Sequence, residues 1–123
     1  IDLGFELEAA PVQGDRFLLR DLVDNLVDNA LRYTPRGGRV TVSCNTGEEG
    51  RGTVLRVEDN GPGIPAAMRE GVFERFVRLD VGTGTLGSGL GLAIVRDIAN
   101  LHGASIRLTD AAQGGAVFTV AFP

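Results

Sequence analysis

The chain has 123 residues, 43% of them hydrophobic and 23% charged, with a formal net charge of −4. That length holds one hydrophobic core and not two, and the acidic balance argues against nucleic acid as a main partner, because phosphate-backbone binding rests on clustered positive charge. No apolar run approaches the length of a bilayer crossing and no signal peptide stands at the start, so a soluble domain is expected.

Because the chain opens on Ile1, it is expected to be a piece cut from a longer protein. All twelve basic residues are arginine, so any side-chain contact to phosphate falls to a guanidinium or a neutral donor. The one cysteine excludes an internal disulfide and any multi-cysteine metal site.

In chain order, "DLGFELE" alternates as a first strand should, and "PVQGD" has room for a short second one. Asp15 then reads as an N-cap for a long amphipathic helix, "RFLLRDLVDNLVDNALRYT", which stops before "PRGG". The segments "RVTVSCN" and "TVLRVEDN" read as strands of a hairpin joined by the glycine-rich turn "TGEEGRG". Cys44 alternates with Val40 and Val42 in the first of them, which predicts a buried structural thiol. After "GPGIP" come a short helix, "AAMREGVFERF", and a stretch poor in core-forming residues, "VRLDVGTGTLGS". A longer helix follows from about Gly89 to Leu101, and the strands "ASIRLTD" and "GAVFTVAFP" close the chain. The order predicts an α+β domain: a two-layer α/β sandwich with a mixed, mostly antiparallel sheet of about five strands, covered on one face by three helices.

Three places carry residues that a core does not call for. On the first helix Leu19, Leu22, Val23, Leu26, Val27 and Ala30 share one face, while Asn25, Asn29 and Arg32 form a stripe about 60° wide beside it. Asn29 and Tyr33 lie at the border of the apolar face. A neutral amide oxygen suits Mg²⁺, which keeps waters and nucleotide phosphates as its other ligands; two surface asparagines are the plainer reading. On the strand "TVLRVEDN", Asp59 ends the apolar row of Leu55 and Val57. A buried carboxylate needs a donor, and either an adenine amine or the amides of a turn would serve. Gly61 and Gly63 allow the following backbone to turn sharply and approach a flat ligand. Finally Gly87, Gly89 and Gly91 leave backbone N–H groups unshielded where a helix begins, a place that favours a polyphosphate; a flexible loop is the commoner cause of such a run.

Taken together, "NLVDNALRYT", "DNGPGI", "FERF" and "GSGLGLAIV" resemble, in order and spacing, the N, G1, F and G2 boxes of bacterial sensor histidine kinases. The whole of residues 1–123 is similar to their catalytic and ATP-binding domain (HATPase_c), which has the Bergerat fold. That domain is the kinase branch of the GHKL superfamily of gyrase, MutL and the heat-shock chaperone ATPases. The resemblance implies ATP and Mg²⁺ as cofactors. Asn29 would coordinate Mg²⁺ with Asn25 in support, and Arg32 and Tyr33 would contact phosphate and the sugar or base side. Asp59 would accept from the adenine amine in a pocket shaped by Gly61, Gly63 and Ile64. Gly87, Ser88, Gly89 and Gly91 would wrap the phosphates, with Leu90 and Leu92 walling the site. Residues 66–88 would form the ATP lid, anchored by Phe73 and Phe76, with Arg75 or Arg78 reaching toward phosphate. Phe73 and Phe76 suit lid packing equally well, and Val77 stands where many relatives carry an aromatic residue.

Hydrolytic members of that superfamily carry a glutamate one helical turn before the metal-binding asparagine, as general base. Here the place holds Asn25, which cannot take the proton, so efficient hydrolysis is not expected. His102 is the only histidine; its place before a glycine at a helix end predicts a residue interacting with the helix dipole and not a phosphoacceptor. The resemblance puts the phosphorylated histidine on a separate dimerisation domain and makes a response regulator the downstream partner. The chain alone would then be a monomer and its full-length parent a homodimer, with the domain cytoplasmic and the parent anchored in the bacterial inner membrane. A nucleotide-binding regulatory module, an anti-sigma-factor serine kinase and a clamp-closing ATPase are the alternative readings.

Overall fold

A computed structural model describes residues 2–7, 14–47, 52–63, 67, 91–112 and 114–123. Its elements are β1 (Asp2–Leu7), α1 (Arg16–Tyr33), β2 (Arg39–Thr46), β3 (Thr53–Asp59), α2 (Gly91–Leu101), β4 (Ser105–Asp110) and β5 (Ala116–Phe122). The strands form one sheet in the order β1-β2-β3-β5-β4. β1 runs parallel to β2 across the α1 connection, whereas β2–β3, β3–β5 and β5–β4 are antiparallel. A parallel pair needs a crossover longer than a hairpin turn, and α1 supplies it. The sheet is therefore mixed and mostly antiparallel, as expected.

Local signals set the limits of α1. The Asp15 Oδ1 accepts from the amides of Phe17 at 2.8 Å and Leu18 at 3.2 Å, which satisfies two of the helix's otherwise unpaired donors. At the other end Thr34 is buried, and its hydroxyl donates to the Ala30 carbonyl at 2.7 Å. Pro35 follows, and the residue before a proline is pushed out of helical geometry. Of the short strand expected in "PVQGD", residues 11–13 lie outside the described residues and Asp15 is the helix cap.

One face of the sheet carries the core. Val40, Val42, Leu55, Val57, Phe118 and Val120 are buried beneath Leu22, Leu26 and Ala30 of α1 and Leu92, Val95, Ile98 and Ala99 of α2. The pairing register sets these side chains in rows: Val42 opposite Val57, Val57 opposite Phe118, and Leu55 opposite Val120. Cys44 continues a row opposite Leu55, but it is half-buried against the core and not fully enclosed as expected. Two helices cover the sheet among the described residues; the third one expected, 66–76, lies outside them except for Ala67. No described helix is long and apolar enough to cross a membrane.

The two helices pack against each other and run in opposite directions. His102, just past the end of α2, bonds to Asp15 at the start of α1, whereas Gly91, the first residue of α2, lies against Asn25 in the middle of α1. The second half of α1 thus approaches the start of β2, where Val40 pairs with Asp59. Gly38, between them, sits so close to Thr34 and Asn60 that a Cβ there would collide with the Thr34 side chain. Asp59 therefore lies toward the end of the sandwich that the second half of α1, with Asn29, approaches, while Gly91 meets α1 at its middle.

Candidate functional site

Asp59 closes the inward row of β3 and is 8% exposed. Both hydrogen bonds it accepts go to Oδ1, from the amide of Gly61 at 2.9 Å and that of Ala116 at 3.3 Å. Among the described residues, Oδ2 accepts none. Burial pushes its pKa above the usual 3.8; the Gly61 and Ala116 amides pull it down, and the neighbouring Glu58 raises it further. Of the two alternatives read from the sequence, the turn amide is the one present, in the bond from Gly61.

The turn after Asp59 is built as the glycines imply, with Gly63 at φ +77°. What the sequence reading missed lies on the opposite strand. Gly115 has φ +97°, and a Cβ there would strike the Asp59 carbonyl. Its absence lets β5 come close enough for the Ala116 amide to reach Asp59. Asn60 is the other residue not anticipated: its Oδ1 accepts from the Arg39 amide at 2.6 Å and its own amide donates to the Arg39 carbonyl at 3.1 Å. This pair ties the turn to the start of β2. The adjacent glycines of "QGGA" were the available signal for the first; nothing in the sequence marked the second.

Along α1, Asn29 is half-buried and its amide has no hydrogen-bond partner among the described residues. Asn25 is also half-buried. Its Nδ2 donates back to the Asp21 carbonyl at 2.8 Å, which turns Oδ1 toward α2, where a Cβ on Gly91 would stand 3.2 Å away. Arg32 is paired with Asp28 at 3.0 Å on a largely exposed surface; such pairs are weak and yield readily to a stronger anion. Tyr33 is the last residue of α1, with its side chain outside the described residues. Leu92, expected at the wall of the site, is buried in the hydrophobic core.

Ile64, Phe73, Phe76, Arg75, Arg78, Gly87, Ser88, Gly89 and Leu90 lie outside the described residues, as does the expected lid, Ala67 apart. A cavity of about 430 Å³ beside α1, lined by Asp24, Asn25, Val27, Asp28 and Leu31, reaches neither Asn29 nor Asp59. The described residues hold another cavity, of about 240 Å³, at Asp59, and it reaches neither Asn25 nor Asn29. No cluster of three or more histidine, cysteine, aspartate or glutamate side chains able to hold a metal occurs among them. The partnerless half-buried amide of Asn29 fits a hard cation that takes few protein oxygens and completes its shell with water and phosphate.

Known proteins resemble this chain in sequence and fold. The chain is 42% identical over 114 residues to the sensor protein kinase PmrB of Pseudomonas aeruginosa, covering 93% of this chain and 24% of that protein. It is 43% identical over 117 residues to the sensor protein QseC of Salmonella typhimurium, covering 94% and 24%. It thus spans about a quarter of the length of these curated relatives. Among solved structures, a mycobacterial sensor histidine kinase MprB superposes with a TM-score of 0.85 at 39% identity, covering 99% of this chain and 84% of that one. Full-length ShkA in complex with AMPPNP superposes with a TM-score of 0.83 at 27% identity, covering 99% and 25%. Residues 14–123 match the family described as histidine kinase-, DNA gyrase B- and HSP90-like ATPase, and the chain belongs to that family.

Proposed function

We propose that residues 1–123 form one catalytic domain that binds ATP with Mg²⁺ and presents its γ-phosphate to a histidine on a separate dimerisation domain of the same parent. The observation that carries this reading is Asp59: a buried carboxylate with one oxygen held by two backbone amides and the other accepting none among the described residues. Likeness to ShkA, solved with AMPPNP, supports the nucleotide.

In this reading Asp59 accepts from the adenine amine, and Gly61, Gly63 and Ile64 shape the base pocket. Asn29 holds Mg²⁺, with Asn25 behind it. Arg32 leaves Asp28 for phosphate, Tyr33 flanks the sugar, and Gly87, Ser88, Gly89 and Gly91 wrap the phosphates. Phe73, Arg75 and Arg78 act from the lid. Mg²⁺ supplies neutralisation of the charge that develops on the transferring group; the protein supplies position. Asn25 provides no general base for water, and this favours a kinase over a clamp-closing ATPase. His102 is not the acceptor, since both its ring nitrogens are engaged, one with Asp15 and one with Ile98. The parent is proposed to be a membrane-anchored homodimer that passes the phosphate to a response regulator, with this domain on the cytoplasmic side.

The test supplies labelled ATP, this chain and a histidine-bearing dimerisation domain in trans. Acid-labile phosphate on that domain is the expected result. Acid-stable phosphoserine on a protein substrate would place the domain with the serine kinases instead. Binding without any transfer would make it a regulatory module.

A further inference from the structure

His102 sits at the end of the helical layer remote from the proposed nucleotide site. Its Nδ1 lies 2.8 Å from the Ile98 carbonyl, at the C-terminal end of α2. Its Nε2 lies 3.2 Å from the Asp15 backbone amide, at the start of α1. A backbone N–H can only donate, so Nε2 is the acceptor and carries no proton, and Nδ1–H is the donor to Ile98. The geometry thus assigns a neutral imidazole in the Nδ1–H form. The ring is seated edge-on to Phe122, with centroids 6.4 Å apart, and a Cβ on Gly14 would strike it.

This contact is one of two rungs between antiparallel helices. The other is Gly91 against Asn25. Ten residues separate Asp15 from Asn25 and eleven separate Gly91 from His102, about 15 and 16 Å at the helical rise. The spacings match, so a slip at one rung moves the other by the same amount. The remote rung then decides how the start of α2 stands against Asn25 and, one turn on, Asn29.

We propose that His102 is a positioning residue that sets the register of α2 on α1, so that loss of its bond to Asp15 loosens that register and weakens nucleotide binding. A side chain with no acceptor at this position leaves the Asp15 amide without its partner, and the rung between the helices is lost. The proposal rests on the ATP reading of the site, which Asn25, Asn29 and Gly91 serve.

The test measures the affinity of this chain, His102→Gln and His102→Ala for AMPPNP with Mg²⁺. Glutamine offers an oxygen to the Asp15 amide, and alanine offers none. The expected result is a fall of about three- to tenfold for His102→Ala, the worth of one hydrogen bond, with most of it restored in His102→Gln. Equal affinity of the parent and His102→Ala would overturn the proposal and leave the ATP reading standing, as would a loss in His102→Gln as large as that in His102→Ala. No binding by the parent would overturn both.

Discussion

Gly91 opens α2 directly against the amide of Asn25, with the position of a Cβ only 3.2 Å from Asn25 Oδ1. The glycine is there because two helices approach closely, in addition to any role its amide has toward phosphate. Gly91→Ala gains up to about 1 kcal/mol of helix propensity but forces back a side chain already tied to the Asp21 carbonyl. A net loss of about 0.5–1 kcal/mol is expected in urea unfolding. In an Asn25→Ala background the same substitution should stabilise by about 0.5–1 kcal/mol, a coupling within the range seen for residues in contact. Additive effects would mean that packing does not explain the glycine.

Gly115 combines a left-handed backbone with a collision course on the Asp59 carbonyl. Gly115→Ala is expected to cost about 3 kcal/mol or more, the combined scale of backbone strain and overpacking. Gly114→Ala makes the matching control, because its φ is +90° and no atom lies within 4 Å of its Cβ. It should pay the strain alone, and thermal unfolding of the two would separate the terms.

Asp59→Asn keeps an oxygen for the Gly61 and Ala116 amides while removing the charge. Burial raises the Asp59 pKa, so the folded chain holds this proton more tightly than the unfolded chain does. The associated stability is complete below the unfolded value of 3.8 and is lost as pH rises through the folded pKa. At pH 7 the ionised side chain is a burden, and the ligand-free variant should unfold at higher urea than the parent, with the difference vanishing in acid. Binding of AMPPNP should weaken at least tenfold, since a hydrogen bond to a charged group is worth about 1.5–3 kcal/mol. A variant less stable at pH 7 would contradict the stability claim, and calorimetry showing unaltered affinity would remove Asp59 from the base pocket.

Asn29→Ala removes an amide that has no partner among the described residues. Ligand-free stability should stay within about 0.5 kcal/mol of the parent or rise slightly, because alanine is the better helix former. The effect should appear in the Mg²⁺ dependence of AMPPNP binding, which the variant is expected to lose. Retained dependence would move the metal to another residue.

Much of this was legible in the chain itself, because its signals are periodic and local. The alternation of Val40 with Val42 and of Leu55 with Val57, the apolar stripe of α1 and the cap at Asp15 each follow from geometry within one element. The motifs around Asn29, Asp59 and Gly91 stand at spacings that identify the family before any coordinates do. Tertiary structure decided what depends on residues distant in sequence. Asp59 is anchored by Ala116 from across the sheet, Asn60 by Arg39 and His102 by Asp15, and no pattern within one element marks such a partner. Gly115 shows the physical reason: its side chain was excluded by a carbonyl 56 positions earlier, and a clash exists only once two strands have been brought side by side.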